Sequence, residues 1–226
     1  MRKGSFMKSG IYRILDYIAR LVILNILVLI ISFSLLLVFK DQLWPLIITG
    51  LTFFPSLVGL FKVMKDYEDG KDPSVFRPFF KAFVKYYVKS IIFTLIIGAA
   101  VLLLINSLTV FAANYNQSVA NIIGYYLTIS LIIALAFIII QLPLVIVNFD
   151  DLSIFQYLKL SMVMGFKDIG LSFLIIVIVV GFLITALVYP IVAGVIGISL
   201  PVFLITKMTY RRYCLLSSKH AIEDEK

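Results

Sequence analysis

Three amides stand in otherwise apolar sequence: Asn25 in "RLVILNILVLI", Asn106 in "LLLINSLTV" and Gln141 in "FIIIQLPLV". A neutral amide among aliphatic neighbours can do two kinds of work. It can tie helices together by hydrogen bonds, each contributing about 0.6–2 kcal/mol in an apolar medium, or it can line a polar path for a small neutral solute. It cannot carry a proton or balance an ion. The groups that could do so are absent from the apolar stretches, since every Asp, Glu, Lys and Arg lies in a connection or at a flank. That pattern argues against an ion-driven pump, which needs a charge at depth. The single histidine, His220, follows the single cysteine, Cys214, by six residues in a polar tail. This is no metal-site spacing. There is no glycine-rich phosphate loop and no nucleophile elbow. The residues therefore suggest neither an enzyme nor a cofactor site.

A second constellation is "RPFFKAFVKYYVK" at 77–89. Arg77, Lys81, Lys85 and Lys89 recur every fourth residue, at about 0°, 40°, 80° and 120° around a helix. Phe79, Phe80, Phe83, Tyr86 and Tyr87 fall between about 180° and 300°. Separate cationic and aromatic faces predict a helix over about 74–89 that lies in the headgroup plane of a membrane, with its cations toward anionic lipid. A docking site for a cytoplasmic partner is the other reading. Nucleic-acid readers need rings and cations on one shared surface, so a nucleic-acid partner is not expected.

The elements that would position these residues follow from composition. Of 226 residues, 62% are hydrophobic and 14% charged, with a mean hydropathy of +1.09 and a net charge of +8. Soluble domains are about 45–50% apolar and about 25% charged, so lipid must be the solvent for most of this chain. Sixty consecutive residues, 90–149, lack any charge, and so do the 38 residues 169–206. Divided at polar turns, the sequence predicts six spans: about 21–39, 43–61, 90–113, 122–149, 169–189 and 190–206. The basic N-terminus before the first span resembles a signal peptide, but 19 apolar residues exceed an h-region of about 7–15, so an uncleaved span is expected. Six spans place 19 of the 20 basic residues on one side, with Lys40 opposite. By the positive-inside rule both termini are then cytoplasmic.

The spans suggest a threefold unit: an amphipathic cytoplasmic helix followed by a transmembrane hairpin. "GIYRILDYIAR", "VFRPFFKAFVKYYVK" and "IFQYLKLSMVMGFKD" precede the outward spans, while Pro55, Pro143 and Pro201 lie near the cytoplasmic ends of the returning ones. A proline in such a helix is tolerated where neighbouring helices cover the freed carbonyl, so all three should face the bundle. Asp150 and Asp151 are expected to cap the third amphipathic helix. Tyr210 to Tyr213 are expected to anchor the last span at the interface.

Ile11 to Phe93 resembles the YesL-like family of bacterial integral membrane proteins. The resemblance rests on "RLVILN", "FFPSLVGLFKVM" and "EDGKDPSVFRPFFKAF". The chain departs from the family's pattern where a tryptophan is expected soon after the asparagine; Val28 stands there and Trp44 comes in the next span. The resemblance implies a membrane protein, in a cell membrane, that is accessory to carbohydrate uptake, with an ABC transporter subunit as a partner besides lipid. It carries over no catalytic residue. The expected architecture is thus an all-α polytopic membrane protein that assists or regulates transport. A permease or channel lined by Asn25, Asn106 and Gln141 is the alternative.

Overall fold

The computed structural model describes residues 10–39, 42, 44–71, 74–149 and 152–224. They form eight helices: α1 (Gly10–Val38), α2 (Trp44–Glu68), α3 (Phe76–Ala113), α4 (Val119–Asn148), α5 (Ile154–Lys167), α6 (Ile169–Val188), α7 (Pro190–Ile196) and α8 (Ser199–Asp224). No strand occurs among the described residues. α1, α2, α3, α4 and α6 are long and apolar enough to cross a membrane, and α7 with α8 makes a sixth candidate, bent by 54°. The chain is an all-helical membrane protein.

Local chemistry sets the turns. Gly70 has φ +73°. It ends α2 in a Schellman motif, in which the Gly70 N–H donates to the Tyr67 carbonyl and the Lys71 N–H to the Asp66 carbonyl, both at 3.0 Å. Glycine takes that left-handed position at no steric cost. Lys71 and Tyr210 then donate to the Asp69 carboxylate at 3.0 and 2.8 Å, tying the turn to α8. Burial alone would raise the Asp69 carboxyl, but these two hydrogen bonds hold it below its ordinary value. Ser118 caps α4 by accepting from the Asn121 N–H at 3.3 Å. α5 starts at a capping box built by Ser153 and Gln156. The cap is Ser153; Asp150 and Asp151, expected in that role, lie outside the described residues.

The tightest packing gathers α1 (Leu21, Leu24, Val28), the end of α2 (Val58 to Met64), the start of α3 (Phe79 to Phe93), the end of α4 (Leu142 to Val147) and α8 (Val202, Ile205, Tyr213). Gly59 lets α2 and α3 approach, since a Cβ there would lie 3.2 Å from the Phe79 ring and carbonyl. Gly165 does the same for α4 and α5, where a Cβ would meet that of Phe137 at 2.9 Å. Pro55, Pro143 and Pro201 are all buried, as expected. By contrast, the second half of α3, the first half of α4 and most of α6 present exposed aliphatic side chains, as helices facing lipid should.

The expected repeat of separate amphipathic helices is corrected in two of its three units. "GIYRILDYIAR" is the beginning of α1, and the 74–89 segment is the beginning of α3, an unbroken helix of 38 residues. Nothing in either sequence interrupts the backbone hydrogen bonds between amphipathic and apolar parts. α5 is a separate helix because Asp168 turns the chain between it and α6. The sixth span is corrected as well: it breaks at Gly197–Ile198, and α8 runs on through the tail to Asp224.

Candidate functional site

Two amides of the sequence-derived trio sit in closed hydrogen-bond centres, and the third stands apart from both.

Asn25 belongs to the stripe of α1 that carries Leu21, Leu24, Val28 and Ser32, all buried at helical spacing. It is 0% exposed. Its Nδ2 donates to the carbonyls of Ala193 at 3.1 Å and Gly194 at 2.7 Å, near the end of α7. Its Oδ1 accepts from the N–H of Ile198 at 2.8 Å and of Ser199 at 3.3 Å, at the start of α8. A helix end leaves carbonyls without partners and a helix start leaves N–H groups without partners. A primary amide offers two donors and an oxygen with two lone pairs. Asn25 thus bonds to both sides of the break, although the Ala193 carbonyl also accepts from the Gly197 N–H at 3.0 Å. An irregular backbone at membrane depth persists only where such groups are satisfied within the protein. Beside this amide, the Ser199 hydroxyl is buried without a hydrogen-bond partner.

Gln141 joins side chains instead. Tyr213 of α8 donates to its Oε1 at 2.8 Å, its Nε2 donates to the Ser172 hydroxyl of α6 at 3.1 Å, and Ser172 donates to the Gly165 carbonyl of α5 at 2.9 Å. Gln141, Ser172 and Tyr213 are at most 2% exposed. The chain of hydroxyl, amide and hydroxyl holds α4, α6 and α8 together. This corrects the expectation that Tyr213 is an interfacial anchor: its ring is core, and its polar tip reaches an amide instead of water.

Asn106 lies on the exposed side of α3, beside an open hollow lined by Leu103, Ser107, Val110 and Phe111. Among the described residues its side chain makes no hydrogen bond. The structure therefore does not bring Asn25, Asn106 and Gln141 together into one polar path.

The cationic row is placed in part as expected. Arg77, Lys81 and Lys85 are exposed and Lys89 is half-buried, its ammonium 5.2 Å from the centre of the Tyr157 ring of α5. The aromatic row faces the protein at two of its five positions, and there the expectation is corrected. Phe79 and Tyr86 are buried in the core, Phe83 and Tyr87 are half-buried, and Phe80 alone of the five is exposed. With Phe80, the exposed apolar residues of this segment are Phe76, Val84 and Val88. Periodicity finds an apolar face but cannot tell whether protein or lipid will cover it. Among the described residues no group of His, Cys, Asp or Glu could hold a metal ion.

Sequence reasoning missed Ser172, Ser199 and the break itself. A signal for the break was present: Pro190, Gly194, Gly197 and Pro201 fall within twelve residues of apolar sequence, and interruptions of this kind mark discontinuous membrane helices.

Residues 21–108 match the model of a family described as "Protein of unknown function, DUF624". This is the group to which the YesL-like proteins belong, so the resemblance read from the sequence is shown over these residues. The match includes Asn25 and Asn106 but not α7 or α8, where the partners of Asn25 lie. No curated protein and no solved structure matches the chain.

Proposed function

We propose that this is a non-enzymatic, six-span membrane protein that assists or regulates a transport system, with both termini in the cytoplasm. The observation that carries this reading is the state of the amides. Asn25 and Gln141 spend their hydrogen-bonding capacity on the fold, and Asn106 is remote from both. A permease must offer a solute a continuous polar route, whereas an accessory protein needs surfaces alone. The row Arg77, Lys81, Lys85 and Lys89 is such a surface, suited to anionic headgroups or an acidic partner. The bias of basic residues supports the orientation. The family resemblance points toward carbohydrate uptake in a bacterial membrane, and hence toward an ABC transporter subunit as the partner.

Purified protein in liposomes is expected to pass mono- and oligosaccharides no faster than empty vesicles, while co-purification from native membranes yields a transporter subunit. The second reading, a permease for a small neutral solute, draws on the broken α7–α8 span, because discontinuous helices line solute sites in transporters. Sugar flux that disappears in Asn25→Leu or Gln141→Leu would establish that reading in place of the first.

A further inference from the structure

We infer that α7, the first half of the broken sixth span, is a hinged flap and that Asn25 is the pin that latches it to the bundle. The inference is independent of whether the protein carries a solute or assists another that does.

Three observations lead to it. First, α7 is held lightly by packing. None of its seven residues is buried; Ile191 is 84% exposed, and the helix lies against α1 and α6. Second, it has a joint at each end. Tyr189 leaves helical geometry on one side, with φ −128° and ψ 76°, and Gly197–Ile198 turns the chain by 54° on the other. At the second joint a Cβ on Gly197 would lie 2.5 Å from the Ala193 Cα, so the chain turns there without room for a side chain. Third, the four hydrogen bonds of Asn25 divide evenly, two to α7 and two to the N–H groups of Ile198, in the turn, and Ser199, the first residue of α8. Both halves of the break are held to α1 through one side chain.

A discontinuous helix in a membrane protein ordinarily turns its half-helix ends toward a bound solute or ion. Here a side chain of the first span fills that place, supplying the donors and acceptors that a polar ligand would bring. Withdrawal of the amide would leave α7 joined to α6 and α8 by its two joints. The Ser199 hydroxyl, buried and unpartnered in the latched state, is positioned at the joint to take up a released backbone group. Swinging a helix of seven residues, about 10 Å long, until the 54° bend is straight moves its far end by roughly 9 Å.

The chemistry of the pin provides its test. Asn25→Asp keeps an oxygen for the N–H groups of α8 and, once ionised, has no hydrogen to donate to Ala193 and Gly194. It should free α7 and leave α8 in place. In a Cys214→Ser background, spin labels at Ile30 of α1 and Ile191 of α7 report the flap, and labels at Ile30 and Ile47 of α2 serve as a control pair. Both label pairs would be measured with Asn25, Asn25→Asp and Asn25→Leu, in liposomes above pH 8. The flap pair is expected to give one distance with Asn25, and a second distance displaced by up to roughly 9 Å in Asn25→Asp. Asn25→Leu, which releases both helices, should populate the second distance at least as much. An unchanged flap pair in both variants overturns the latch. So does a control pair that broadens together with it, because Asn25 would then be a packing residue of the whole bundle.

Discussion

Asn25 and Gln141 begin as equivalent problems: one neutral amide each, on a long apolar helix, almost wholly withdrawn from solvent. They are solved differently. Asn25 spends its hydrogen bonds on main-chain groups of α7 and α8, Gln141 on the side chains of Ser172 and Tyr213. Main-chain groups cannot be mutated away or rotated to a new partner, and in lipid they have no water to fall back on. Asn25 therefore determines whether an irregular backbone can exist at that depth. Gln141 links three helices that apolar contacts already bring together. Where the partner is the backbone, the amide is architecture; where the partners are hydroxyls, it is reinforcement.

The largest expected effect follows directly. Asn25→Leu removes four hydrogen bonds to the backbone at once, although the Ala193 carbonyl keeps the Gly197 N–H. At about 0.6–2 kcal/mol for each hydrogen bond in a membrane protein, the loss should be about 2–8 kcal/mol in unfolding measured in detergent micelles. A loss smaller than that of Gln141→Leu would show that the helix ends find other partners, and the contrast between the two centres would collapse.

Gln141→Leu comes next, at about 1–2 kcal/mol. Only the Tyr213 hydroxyl loses its acceptor, because Ser172 still donates to the Gly165 carbonyl. Tyr213→Phe should cost about 1 kcal/mol. The double variant should cost clearly less than the two singles together, since both remove the same hydrogen bond. Strict additivity in this cycle would mean that the 2.8 Å contact between them contributes nothing.

The contrast also marks what the sequence could reveal. Charge-free apolar stretches located the spans and polar turns marked their ends, because spans and turns are local consequences of composition. The burial of Pro55, Pro143 and Pro201 was likewise legible, since a proline in lipid needs protein around it. The partners of Asn25 were not legible. They lie 168 to 174 residues away, and no local pattern encodes a contact at that separation. The faces of the 77–89 segment were assigned by angle, yet Phe79 and Tyr86 went to the core. A protein interior and a lipid tail select the same apolar side chains, so the angle could say which residues share a face and not what covers it. The extent of α3 failed for a related reason: a change from amphipathic to apolar composition marks a change of surroundings, not an end of helix.

The smallest effect is expected at Asn106, the amide with neither kind of partner. Asn106→Leu should change stability by no more than about 0.5 kcal/mol, as surface substitutions commonly do. The side chain is exposed beside Leu103, Val110 and Phe111, so leucine adds apolar surface where apolar surface already meets the surroundings. No hydrogen bond among the described residues is lost with it. The substitution should also leave the oligomeric state in micelles unchanged. A loss above about 1 kcal/mol, or a shift in particle size, would mean that Asn106 has a partner outside this chain. A second copy would be the natural candidate, because two equivalent amides can pair across a twofold axis. All three amides would then be spent on holding helices together, within one chain or between two, and the permease reading would lose the last amide still free to meet a solute.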